Sequence, residues 1–147
     1  MTSTVYNRQV LWGLWVVLPA TAALTLVLAW PANGGPERAA LAAVVLGQLA
    51  VLAGMSHFEL SVDGEAVRWR YGLFGWPNWT LPLADIRQVE PARSSWIEGW
   101  GIRRTKEGML YNARGPGAVR LTLKDGRRLR LGSDEPERLA ALIAARL

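Results

Sequence analysis

The sequence predicts a membrane α-helical hairpin followed by a mainly-β domain, with about seven antiparallel strands in a partly open barrel or sandwich capped by a C-terminal α-helix. Three observations carry this. Two long stretches, Gln9 to Pro36 and Ala39 to Phe58, contain no charged residue. After His57 the apolar residues recur every second position, and the chain closes on an amphipathic segment, SDEPERLAALIAARL.

Residues 1–8 are expected to be a short cytoplasmic tail, and residues 9–57 a hairpin with spans at about 10–30 and 39–57 and a turn over 31–38. A bilayer core of about 30 Å needs roughly 20 apolar residues as a helix, and each run is long enough. A cleaved signal peptide would have a shorter apolar core of about 7–15 residues ending at a small-x-small site. LWGLWVVLPATAALTLVLAW is longer, and Trp30 stands where a small residue is wanted. Trp12 and Trp15 at one end and Trp30 at the other suit the two interfaces. Pro19 is tolerable inside a membrane helix.

The second run is rich in alanine, which also suits a buried soluble helix, but its apolar neighbour favours pairing as a hairpin. In it, Ala43, Gly47, Ala50 and Gly54 form a small-residue face, either a close helix contact or a plain consequence of composition. Of the 17 Lys and Arg residues, 15 follow residue 58, as do 11 of the 12 acids. The positive-inside rule then predicts both termini in the cytoplasm and the turn outside, and the inner membrane is the expected location. There is no cysteine, so thiolate chemistry and disulfides are excluded.

Residues 58–147 form the β-domain. In FELSVDGEAVRWRY one hairpin register sets Val62 against Val67, Leu60 against Trp69, Phe58 against Tyr71, and Glu59 against Arg70 outside. In AVRLTLKDGRRLRLG a three-residue loop, Lys124 to Gly126, pairs Leu121 with Leu129 and Val119 with Leu131, and Gly126 takes the left-handed position. Short strands are expected between the hairpins at 79–82, 87–92, 101–104 and 109–113. The last helix, 135–147, opens with Asp134 and Glu137 in capping-box spacing and carries an apolar stripe of Leu139, Leu142, Ile143 and Leu147.

Three stretches together resemble the bacterial pleckstrin-homology-like (PH-like) domains, which often follow membrane helices. They are VDGEAVRWRYGLFGWPNWTLPLADIRQVEP, GWGIRRTKEGMLYNARG and LTLKDGRRLRLGSDEPERLAALI. The resemblance implies the fold and names no ligand. Lipid-binding eukaryotic relatives carry an Arg-x-Arg that Arg68-Trp69-Arg70 matches. Their basic first hairpin loop has no counterpart in Asp63-Gly64-Glu65-Ala66.

No catalytic, cofactor or metal site is predicted. The one histidine, His57, leaves a triad or a multi-His centre short of parts. GWGIRR lacks the third glycine of a dinucleotide fingerprint, since Arg104 stands there, and its glycines are read as strand bends around Trp96 and Trp100. Arg87, Arg93, Arg103, Arg104, Lys106 and Arg114 lie mid-domain without interleaved aromatics, so nucleic acid is not expected.

Arg68, Arg70, Arg103, Arg104 and Lys106 are the candidate anionic-lipid contact; simple solvation of a basic face is the alternative. Leu73, Phe74, Trp76 and Trp79 are the candidate partner contact, unless they fold back over the barrel end. The expected function is a non-enzymatic membrane protein whose β-domain is a protein-interaction or scaffolding module, an accessory or assembly subunit among other membrane-protein subunits. Anionic-lipid sensing is the alternative.

Overall fold

The computed structural model describes residues 4–29, 34–95, 98 and 101–147. Trp30, Trp96, Ile97, Gly99, Trp100 and residues 31–33 of the predicted turn lie outside them. The first element is a strand, β1 (Thr4–Val10), and it leads into α1 (Trp12–Ala29) and α2 (Gly35–Met55). α2 is long and apolar enough to cross a membrane. α1, at 18 residues, is shorter than the predicted span. The two helices lie side by side, with Leu18, Ala22 and Leu26 of α1 and Val45, Gln48 and Leu52 of α2 lining a hollow of about 300 Å³ between them and Gln48 Nε2 donating to Thr21 Oγ1 at 3.2 Å.

β2 (His57–Val62) and β3 (Ala66–Tyr71) pair as the alternation requires: Phe58 faces Tyr71, Leu60 faces Trp69, and Val62 faces Val67. All six of those side chains are buried. β4 (Asn78–Pro82) follows, then a 3-10 turn (Leu83–Asp85) and β5 (Ile86–Arg93). β6 (Gly101–Thr105), β7 (Gly108–Asn112), β8 (Gly117–Leu123) and β9 (Arg128–Gly132) complete the strands, and α3 (Pro136–Ala144) packs across β5 and β8. The final hairpin has the expected pairs, Leu121 with Leu129 and Val119 with Leu131, and Gly126 has φ +88°. The core lies between a four-stranded sheet, β1-β2-β3-β4, and a five-stranded sheet, β5-β8-β9-β7-β6.

Four expectations need correction. Residues 4–10 are not a free tail: β1 covers the open edge of β2. Its Gln9 is buried, accepting from the Arg114 N–H at 3.1 Å and donating to Asp134 at 2.8 Å. The strands are not all antiparallel, because the β6–β7 hairpin docks on the free edge of β9 and makes β7 and β9 a parallel pair. The described residues hold nine strands in two unclosed sheets. Finally, Asp134 is engaged by Gln9 and does not cap α3, which starts after Glu135 without a side-chain cap; Leu147 lies beyond that helix and is exposed.

One glycine fixes how the helices and the β-domain meet. Gly72 has φ +74°, and a Cβ there would lie 2.6 Å from the Ala53 carbonyl oxygen and 2.7 Å from that of Gly54. Gly126 also has positive φ, but a Cβ there would meet nothing. Gly126→Ala therefore costs only the left-handed strain, about 1–2 kcal/mol. Gly72→Ala adds a collision with helix backbone and is expected to cost about 3 kcal/mol or more. Denaturant unfolding of both variants in detergent checks this, and equal costs would contradict it.

Candidate functional site

A helix ends with carbonyls that have no partner inside it. At and just beyond the end of α2, the β3–β4 loop and the link between β1 and α1 supply partners. Leu73 N–H donates to Ala53 C=O at 2.8 Å, Leu11 N–H to Ser56 C=O at 2.9 Å, and Gly72 N–H to His57 C=O at 2.8 Å. Ser56 is fully buried, and its hydroxyl lies 2.8 Å from His57 Nδ1. The edge of Trp15 meets the His57 ring at a centroid distance of 6.2 Å. His57 is thus part of the junction. Among the described residues no three His, Asp or Glu side chains converge as a metal-ligand set.

The β3–β4 loop is bonded to this junction, and its apolar side chains face outward. Leu73, Phe74 and Trp76 are 52%, 86% and 73% exposed. Trp79 does not join them, which corrects the predicted patch. Its pairing with Trp69 puts both rings on one face, stacked at 6.1 Å, and Trp79 meets Tyr111 of the other sheet at 4.9 Å.

The predicted cationic set divides between the two sheets. Arg68 pairs with Asp63, and Arg70 with Glu59 at 2.7 Å, both beside a hollow of about 390 Å³ on the four-stranded sheet. Arg103, Arg104 and Lys106 lie together in a cleft of about 630 Å³ on the five-stranded sheet, with Arg93, Glu98, Glu107, Arg120 and Arg130. Strand register builds its floor: Glu90 faces Arg120, Arg120 faces Arg130, Arg130 faces Leu110, and Leu110 faces Arg103.

Two of the arginines are neutralised within the cleft. Arg130, with only 4% of its side chain exposed, grips Glu98 through both terminal nitrogens at 2.5 and 3.1 Å and also reaches the Thr105 hydroxyl. Such two-point ion pairs are strong and directional. Arg120 bridges Glu90 and Glu107. Arg93, Arg103, Arg104 and Lys106 have no acidic partner among the described residues. Four unpaired cations therefore border the cleft: Arg103 shares the row of Arg130, Arg104 projects to the other side of β6 opposite Met109, and Arg93 accepts from Arg130 through its carbonyl.

Arg120, Arg130 and Glu98 were not singled out by the sequence. RLRLG places Arg130 on the outer face, but its cover, Glu98, lies 32 residues away. Arg87 lies outside the cleft; the Arg114 backbone bonds Gln9 beside a separate apolar hollow of about 480 Å³ lined by Leu11, Trp12 and Val17. On α2, Ala43, Gly47 and Ala50 are exposed and Gly54 half-buried. A Cβ at Gly47 or Gly54 would meet nothing, so α1 does not pack on this face.

No protein-family model matches the chain, and no curated protein matches it.

The Arg130 hydrogen bonds hold the Glu98 carboxyl below its usual 4.5. A carboxylate stabilised in the fold contributes above its unfolded pKa, and the contribution is lost as pH falls through the folded value. Glu98→Gln leaves the Arg130 charge with only the longer contact to Glu107 at 3.9 Å and is expected to cost about 2 kcal/mol near neutrality, that contact and the solvent-reachable Glu98 side moderating the penalty of a broken buried pair. Unfolding of the wild type in detergent should then lose stability below pH 4.5 by an increment that Glu98→Gln lacks. Parallel pH profiles for the two would contradict the assignment.

Proposed function

We propose that this chain is a non-enzymatic integral membrane protein whose cytoplasmic β-domain, PH-like in plan, is a docking module. Its basic cleft receives an acidic segment of a partner protein, making the chain an accessory subunit of a larger membrane assembly. In this reading α1 and α2 both span the inner membrane, with both termini on the cytoplasmic side.

Solvent-facing leucines and valines support the two-span part. Leu24, Val27 and Leu28 on α1, and Val44, Leu46 and Val51 on α2, are exposed, a surface suited to lipid and costly in water. At about 1.5 Å per residue, the 18 residues of α1 reach close to the thickness of a bilayer core. Two mainly antiparallel sheets and the terminal α3 are consistent with the PH-like plan, while the parallel β7–β9 pair departs from it.

The observation that carries the docking reading is the set of four unpaired cations, Arg93, Arg103, Arg104 and Lys106, bordering one open cleft. Its direction favours a protein ligand. β6 starts at Gly101, where a Cβ would lie 3.4 Å from Met55 at the end of α2, and it runs from there toward Thr105. Lys106 is therefore at the end of the hairpin away from the helix exit, beyond the reach expected of a headgroup site. An extended acidic segment can lie along the β6 edge between cations on its two faces, and charge complementarity of this kind governs partner choice and on-rate.

Native mass spectrometry of the particle extracted from its own membrane in mild detergent tests this. Stoichiometric partner subunits are expected with the wild type and are expected to be lost from Arg103→Glu/Arg104→Glu/Lys106→Glu. A chain recovered without protein partners, carrying anionic lipid that the triple variant sheds, would assign the cleft to headgroups instead.

A further inference from the structure

The geometry points to a second membrane contact, made by the β-domain itself: the β3–β4 loop, Leu73 to Trp76, is immersed in the leaflet from which α2 emerges. This rests on the reading of α2 as a membrane span.

The loop backbone is joined to α2 before the helix has ended. Leu73 N–H donates to the carbonyl of Ala53, two residues short of the helix terminus at Met55, and Gly72 lies against the carbonyl of Gly54. Whatever surrounds that turn of α2 therefore also surrounds the start of the loop. Leu46 and Leu49, seven and four residues before Ala53 and so on the same side of α2, are exposed, as are Leu73, Phe74 and Trp76.

The loop has the composition that the lipid boundary requires, and part of its backbone is bonded internally. No charged residue occurs between Arg70 and Asp85. Backbone donors in lipid must be satisfied internally. Here Tyr71 N–H bonds to Pro77 C=O at 2.9 Å, Gly72 and Leu73 bond to the helix junction, and Gly75 N–H reaches back to Gly72 C=O at 3.4 Å, while the N–H groups of Phe74 and Trp76 make no bond to the described residues and are left to the polar headgroup boundary. The Asn78 amide is turned inward, donating to Gly75 C=O at 3.1 Å. Tryptophan suits the headgroup boundary, where Trp76 would lie.

The flanking aromatics, Tyr71 and Trp79, point into the core, so the three outward side chains are not needed to fill it. An uncharged loop offers nothing to an acidic partner. Lipid contact at this point would fix the orientation of the β-domain on the leaflet and leave the basic cleft open to the cytoplasm.

Because the sequence contains no cysteine, a single Phe74→Cys substitution in the full chain accepts one nitroxide spin label. The labelled protein is reconstituted in vesicles of phosphatidylcholine and phosphatidylglycerol, and collisions with oxygen are compared with collisions with a water-soluble nickel chelate. Leu46→Cys in the middle of α2 and Glu65→Cys in the β2–β3 loop are the references. The expected result is that the label at position 74 meets oxygen and is shielded from nickel, as at position 46, while position 65 meets nickel freely.

Nickel access at position 74 equal to that at 65, with position 46 still in lipid, would overturn the inference and leave the membrane reading of α2 intact. Shielding from both oxygen and nickel at position 74 would also overturn it, in favour of contact between two copies of the chain. Nickel access at position 46 would remove the membrane reading of α2 and this inference together.

Discussion

The end of α2 is completed by groups from distant parts of the chain, and the placement of everything else depends on that fact. Unpaired carbonyls at a helix terminus must find donors or water. Here they find the amides of Leu73 and Leu11, one from the β3–β4 loop and one from the link between β1 and α1. A third amide, that of Gly72, closes on His57 just beyond the helix. This arrangement works only because Gly72 has no side chain, since any Cβ would enter the helix backbone. The helix and the domain are therefore one continuous hydrogen-bonded unit, and no loose linker separates them.

Because the junction is fixed, the two sheets present their features in fixed directions. The apolar tip of the β3–β4 loop stays beside the helix exit, while β6 leads from Gly101, near Met55, toward the cations of the cleft. The buried Arg130 and its Glu98 partner form the floor of that cleft. Satisfying Arg130 internally has a chemical consequence: the positive charge left available is that of Arg93, Arg103, Arg104 and Lys106, side chains that are exposed and can reach a ligand. On the other sheet, Arg68 and Arg70 are held by Asp63 and Glu59, which is why an Arg-x-Arg pattern there does not amount to a free anion site.

What could be read from the sequence was local. Both hairpin registers follow from period-two alternation within about fifteen residues, because a slip of one residue would turn the apolar side chains outward. What could not be read depends on contacts between distant segments. β1 turns a polar residue inward, and Gln9 is tolerable in the core only because Arg114 and Asp134, 105 and 125 residues later, bond to it. No period-two signal reveals such a strand. The parallel β7–β9 pair arises from a hairpin docking onto a remote edge, and Trp79 looked like surface until its register with Trp69 was known. The cationic cleft was half legible: Arg103, Arg104 and Lys106 are neighbours in sequence, whereas the neutralisation of Arg130 by Glu98 is not visible there.

The most direct measurement is hydrogen exchange at single-residue resolution on the full chain in lipid nanodiscs, focused on the amides of Gly72 and Leu73. If the β-domain completes the end of α2, both exchange as slowly as the amides of the β2–β3 hairpin, although they lie in a loop. Exchange as fast as that at Gly64, at the tip of the Asp63–Glu65 turn, would mean that helix and domain are not joined and would contradict the account.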